Sequence, residues 1–188
     1  MATVTNLTQG QIDKVQIDEG LIYINYGETD EMKLGPTRGG GEFSVSQTIR
    51  DVEVDGRKGK TKGLQVIEEI NATLKVNTLC CSQEVLELAL PSSVKTGTVE
   101  TGYVLSSNDT GLIPGTKYLK NVVMFAKLLD GKYKKITLFN VMHESDFVFG
   151  AKPKSENEHA LELIAHWDIL DATKKLYQIE EVATLPVN

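Results

Sequence analysis

At 188 residues the chain suits one domain and is long enough to bury a real core. Its net charge of −6 argues against a surface that holds nucleic acid by neutralising phosphates, though not against one that lets nucleic acid pass. The two cysteines, Cys80 and Cys81, are adjacent, which excludes a disulfide framework or a spaced zinc site and fits a reduced, intracellular place of synthesis.

Residues 1–19 read as a polar N-terminal arm with too little apolar content to fold alone, and 20–188 as a single domain. Met1 to Gly20 carries no basic-then-apolar signal, and no apolar run approaches membrane-spanning length. Membrane insertion and standard export are therefore not expected. Gly20 to Tyr26 reads as a first strand closed by Gly27. Leu34 to Gly41 reads as loop by its proline and glycines, the glycine run serving either a turn with positive φ or the close approach of another backbone.

The stretch around which the chain is organised follows. From Gly41 to Arg50, Phe43, Val45 and Ile49 share one parity, while Glu42, Ser44, Ser46 and Thr48 share the other, with Gln47 the exception on the apolar side. From Leu64 to Thr78, Leu64, Val66, Ile70, Ala72, Leu74 and Val76 alternate with Gln65, Glu69, Asn71, Thr73, Lys75 and Asn77. Ile67 and Glu68 break the pattern. Two long strands, each with one wet face, are expected to lie in a sheet and present that face to water.

The connection from Asp51 to Gly63 is far longer than a hairpin turn requires. Its acids come first (Asp51, Glu53, Asp55) and its bases second (Arg57, Lys58, Lys60, Lys62), so it can match a neighbouring copy head to tail; a solvated flexible loop is the alternative. Gly59-Lys60-Thr61 mimics the tail of a phosphate-binding loop. Val54 occupies the place of the required first glycine, however, and an alternating strand follows where a helix should, so nucleotide binding is rejected.

Ser82 is placed to cap a short helix from Gln83 to Leu90, with Glu84 in its first turn, Leu86 and Leu90 facing a sheet, and Pro91 as its stop. Ser92 to Thr116 reads as irregular or weakly stranded around Val99 to Leu105. Tyr118 to Leu129 and Lys132 to Met142 form a hairpin about Asp130-Gly131, apolar on both parities and hence covered on both faces. Phe147 to Lys154 is expected to be a short strand and loop. Leu161, Leu163, Ala165, Trp167 and Ile169 predict a late strand, and Leu176 to Ile179 a last one. The fold class expected is mainly β, a sandwich or partly closed barrel with one short flanking helix and one long inter-strand loop.

No catalytic constellation stands out. His143, His159 and His166 are scattered, no serine occupies a nucleophile elbow, and Glu68-Glu69 point to opposite faces of a strand, so an enzyme is not expected, nor any cofactor or metal. The His143 to Asp146 run reads as a polar strand end and Cys80-Cys81 as packing at the sheet end.

The run Leu34-Gly-Pro-Thr-Arg-Gly-Gly-Gly-Glu-Phe43, the strand running to Val54-Asp-Gly56, the exit Lys60-Thr-Lys-Gly-Leu64, and Val66-Ile-Glu-Glu-Ile-Asn-Ala-Thr-Leu74 resemble major tail tube proteins of long-tailed, siphovirus-like bacteriophages. The resemblance spans most of residues 20 to 170. It implies a virion subunit, made in the host cytoplasm, that forms six-membered rings stacked into a tube. Its partners would be further copies of itself, a tape-measure protein, tail terminator and distal tail or baseplate proteins, with double-stranded DNA passing through. It also implies that the loop from Asp51 to Gly63 is the stacking contact between rings. The wet face of Glu42, Ser44, Ser46, Thr48, Glu69, Asn71 and Thr73 suits a channel lining, because excess acid keeps a polyanion from sticking. An injection-tube protein of a secretion or bacteriocin machine, and a β-sandwich virion module that does not polymerise, stay open as alternatives.

Overall fold

The computed structural model of the protein describes residues 8–185 apart from 57, 99, 109, 110, 152 and 172, and only the backbone of Asp18 and Glu19. The N-terminal segment opens with α1 (Gln9–Ile12), a single turn closed by a reciprocal cap between Thr8 and Gln11. Next come β1 (Gln16–Ile24), β2 (Met32–Lys33), β3 (Thr37–Asp51) and β4 (Gln65–Thr78). They are followed by α2 (Gln83–Ala89), β5 (Ser93–Thr98), β6 (Gly102–Ser107), β7 (Leu119–Leu128), β8 (Tyr133–His143), β9 (His159–Ala165) and β10 (Tyr177–Val182). The fold is mainly β, as the alternation of the sequence leads one to expect.

Eight strands form one antiparallel sheet in the order β2-β1-β7-β8-β9-β4-β3, with β10 added beside β8; β5 and β6 pair separately. The sheet wraps a core to which β1 gives Ile22 and Ile24, β4 gives Ala72, Leu74 and Val76, and β9 gives Leu161 and Leu163. Its two ends come close where Gly20 of β1 meets Gly41 of β3; a Cβ on Gly20 would stand 3.4 Å from the Gly41 amide nitrogen. Glycine at both positions lets the backbones approach, and the sheet is a partly closed barrel.

The β7–β8 hairpin is apolar on both parities because both faces are covered. Val122 and Met124 lie in the main core, while Val123 and Phe125 form a second cluster with Tyr23 on the other face. There the rings of Tyr23, Tyr26 and Phe125 meet edge to face at centroid distances of 5.6 to 5.8 Å.

β8 changes partner partway along. Its first half, Tyr133 to Leu138, pairs with β10, and its last three residues, Val141 to His143, pair with β9. Asn140, with φ at +49°, marks the fork. Its carbonyl accepts from the His166 backbone N–H, and its side-chain amide donates to the His166 carbonyl.

Several expectations need correction. The helix starts at the Ser82 cap as expected, the Ser82 hydroxyl accepting from the Val85 N–H, but it buries Val85 and Ala89, with Leu86 only half-buried. The buried pair has the anticipated one-turn spacing and is rotated by one residue, which brings the smaller side chains against the core. The late strand ends at Ala165, since beyond the fork at Asn140 no strand runs beside it. Trp167 and Ile169 are therefore 57% and 97% exposed although their parity continues. No strand forms among the described residues of 147–154; the Phe147 and Phe149 rings instead stack against His159, each at 5.5 Å. Residues 93–107 form a regular hairpin, while Val99, expected to begin a strand there, lies outside the described residues. β1 begins at Gln16, ahead of Gly20.

Candidate functional site: the projecting ribbon

β3 and β4 pair along their whole length, from Thr37 opposite Thr78 to Asp51 opposite Gln65. β3 alone spans 15 residues, about 45 Å at the usual rise of a strand. The register shifts twice. Between Arg38 and Gly41 two extra residues, Gly39 and Gly40, take φ of +79° and +72°, which fixes the role of the glycine run as a bulge that other residues would strain. Between Thr48 and Ile49 the extra residue is on β4: Thr48 faces Glu69 and Ile49 faces Ile67, so Glu68 bulges out.

That second bulge accounts for the two mismatches in the sequence pattern. It keeps one continuous row on the inward face: Phe43 with Leu74, Val45 with Ala72, Gln47 with Ile70, and Ile49 with Ile67. The first two pairs lie in or against the core. The last does not, for Ile49 and Ile67 are each 51% exposed, and Val66, Val52 and Val54 beyond them are 43%, 37% and 45% exposed. The ribbon therefore runs past the domain, and its far end has water on both sides.

The opposite face carries all seven residues read as a wet surface. Glu42 faces Lys75, Ser44 faces Thr73, Ser46 faces Asn71 and Thr48 faces Glu69, all exposed except the half-buried Thr73. Two cations on this face are already matched. Lys75 lies 3.2 Å from Glu162 of β9, and Arg50 donates to Glu68 at 2.7 Å. Glu69 accepts from the Asn71 amide at 2.9 Å. Glu42 and Glu69 are then the carboxylates on this face that form no ion pair among the described residues, although Glu42 stands across from Lys75.

At the ribbon's end the loop is held by few contacts of its own. The Val52 N–H donates to the Leu64 carbonyl, and the Gln65 amide donates to Asp51 at 2.8 Å. Glu53, Asp55, Lys58, Lys60 and Lys62 are all exposed, and none of them forms an ion pair among the described residues; Arg57 lies outside them. Gly56, Gly59 and Gly63 all have positive φ, so the loop's path depends on its glycines.

The rest of the chain offers little chemistry. No group of three His, Cys, Asp or Glu side chains among the described residues is arranged to hold a metal, and no helix is long and apolar enough to cross a membrane. His143 is buried, its Nδ1 accepts from the Glu162 N–H at 3.0 Å, and burial lowers its pKa. Cys80 and Cys81 are free thiols, Cys80 packed against the core and Cys81 exposed. What sequence reasoning missed is the apolar character of the projecting end. The signal was present in Ile67 and Glu68, the residues that broke the alternation.

No protein-family description matches the chain, and no curated protein does. Among solved structures, its fold is similar to a chain of the virion of native gene transfer agent particle, with a TM-score of 0.42 and 14% identity over 79% of this chain and 92% of that one. At that degree of overlap the likeness carries no functional weight.

Proposed function

We propose that the protein is a structural subunit of a phage-type tail tube. It assembles into six-membered rings that stack around a tape-measure protein, are bounded by terminator and distal tail proteins, and later conduct double-stranded DNA. The observation that carries this reading is the ribbon. Roughly a third of its length lies beyond the core, with an apolar row and unpaired charges that a solitary subunit has no use for. A surface of that kind is stabilised when a partner covers it. The resemblance of residues 34 to 76 to tail tube proteins points the same way.

In this reading Glu42, Ser44, Ser46, Thr48, Glu69, Asn71 and Thr73 line the channel. With Lys75 and Arg50 neutralised by Glu162 and Glu68, the lining is polar and net acidic, so DNA is repelled weakly along its length and finds no site at which to bind. The loop holding Asp51, Glu53, Asp55, Arg57, Lys58, Lys60 and Lys62 makes the contact between rings.

Electron microscopy of the purified chain tests the reading. Rings or tubes are expected, at least at high concentration or on addition of a tail initiation complex. Particles that remain single in all such conditions overturn it.

A further inference from the structure

The two ends of the ribbon differ in chemistry, and the register fixes where each lies. The tip, beyond Asp51 and Gln65, presents Lys58, Lys60 and Lys62 beside the exposed Val52 and Val54. At the other end β9 begins beside β4, with His159 opposite Thr78 and Ala160 opposite Asn77. The segment leading into β9 therefore lies about 45 Å from the tip along the strand direction. It is acidic and apolar together. A cavity of about 320 Å³ is lined by Asp146, Glu156 and Glu158 with Val148 and Ala160. Val148 in its lining is 72% exposed, and the next residue in sequence, Phe149, is 65% exposed.

This acidic end is braced. Arg38 of β3 donates to Glu158 at 2.8 Å and to Glu156 at 3.1 Å, tying the segment to the root of the ribbon, while Phe147 and Phe149 stack on the buried His159. Arg38 is ion-paired with two of the three lining carboxylates, while the exposed Asp146 forms no ion pair among the described residues, so the lining residues keep a negative excess. The tip has the opposite excess in its second half and the same mixture of aliphatic and charged groups. Lysine stems can lie along Val148 while their ammonium groups reach carboxylates.

We infer that the ribbon tip of one copy seats in the cavity lined by Asp146, Val148, Glu156 and Glu158 on the next copy, with Lys58, Lys60 and Lys62 meeting its carboxylates. The contact joins two unlike surfaces at opposite ends of one rigid element, so each copy that receives a tip offers another in the same direction. Such a contact propagates along the strand axis, whereas an isologous contact, in which two copies offer each other the same surface, closes at two copies. The inference rests on the tube reading and supplies the surface that receives the loop.

Assembled wild-type protein, made from a mixture of isotope-labelled and unlabelled chains, is treated with a carbodiimide, which joins amines to carboxylates in direct contact. Intermolecular peptides linking Lys58, Lys60 or Lys62 to Asp146, Glu156 or Glu158 are expected. Links from those lysines to Asp51, Glu53 or Asp55 of another copy, or to other carboxylates alone, overturn the inference while leaving the tube intact. Failure of the wild type to assemble at all would instead count against the tube reading. A triple variant Lys58→Glu, Lys60→Glu, Lys62→Glu should lose at least tenfold in tube yield at unchanged melting temperature. Adding Asp146→Lys and Glu156→Lys to it should restore assembly. A fivefold variant that folds and still fails to assemble, beside a wild type that does, also overturns it.

Discussion

Ile49 of β3 stands directly opposite Ile67 of β4, and each keeps half of its surface in water although both extend the row begun in the core by Phe43 and Leu74. Replacing either with serine should cost the isolated subunit about 1–1.5 kcal/mol, roughly half the value of a fully buried isoleucine. Assembly should suffer far more. Urea denaturation and sedimentation of the same Ile49→Ser and Ile67→Ser samples separate the two effects; a large loss of monomer stability would show that these residues serve the fold.

Leu74 and Leu163 provide the contrast, since they are paired across β4 and β9 and have no exposed surface. Leu74→Ala or Leu163→Ala should lower unfolding free energy by about 2–5 kcal/mol, the range for emptying a leucine site in a packed core. Chemical denaturation reads this directly. A cost below about 1 kcal/mol would mean that the sheet does not enclose a close-packed interior.

Gly97 sits in the separate β5–β6 hairpin with φ at +93°, and a Cβ there would stand 2.1 Å from the Gly102 carbonyl oxygen. Gly97→Ala should therefore disrupt this hairpin, where backbone and not a flexible side chain blocks the methyl group. Faster amide exchange at Val94 to Thr98 and Tyr103 to Ser107, with exchange in β4 and β7 unchanged, is the expected result.

Glu181 of β10 gathers Lys14, Lys132 and Lys134 at 2.6, 3.3 and 2.9 Å, and hydrogen bonds from Lys14 first and Lys134 next bring its carboxyl from an ordinary 4.5 down to about 2. A depressed carboxyl pKa favours the folded state at pH above the ordinary value, and that contribution disappears as pH falls from about 4.5 toward 2. Because Lys14 precedes β1, acid should loosen the N-terminal segment before the core. Proteolysis near Lys14 as pH falls, with a protease active in acid, measures it, and Glu181→Gln should show the same cutting at neutral pH.

The ribbon was legible in the sequence because its signal is local. Alternation with a period of two fixes which residues share a face, so the seven polar side chains from Glu42 to Thr73 fall together on the sequence pattern alone. Ser82 marked its helix for the same reason. Trp167 and Ile169 misled because alternation says nothing about whether a neighbouring strand is free to pair, and that depends on β10 taking the edge of β8 before Asn140. The cavity around Asp146 and Glu158 was not legible at all. Its position opposite the tip follows only from β9 pairing with β4 across some eighty residues of chain, a non-local choice that composition does not encode.

The bulge at Glu68 falls between the part of the ribbon that packs and the part that projects. Residues on its far side touch no core partner, so their number is uncoupled from the demands of folding. Inserting two residues into each strand beyond Glu68 would push the tip outward by about 7 Å while every inward side chain kept its orientation. An odd insertion would turn the aliphatic row to the other face. The chain thus carries an adjustable spacer, and the distance between successive copies in any polymer it builds could drift in steps of two residues without the domain having to be redesigned.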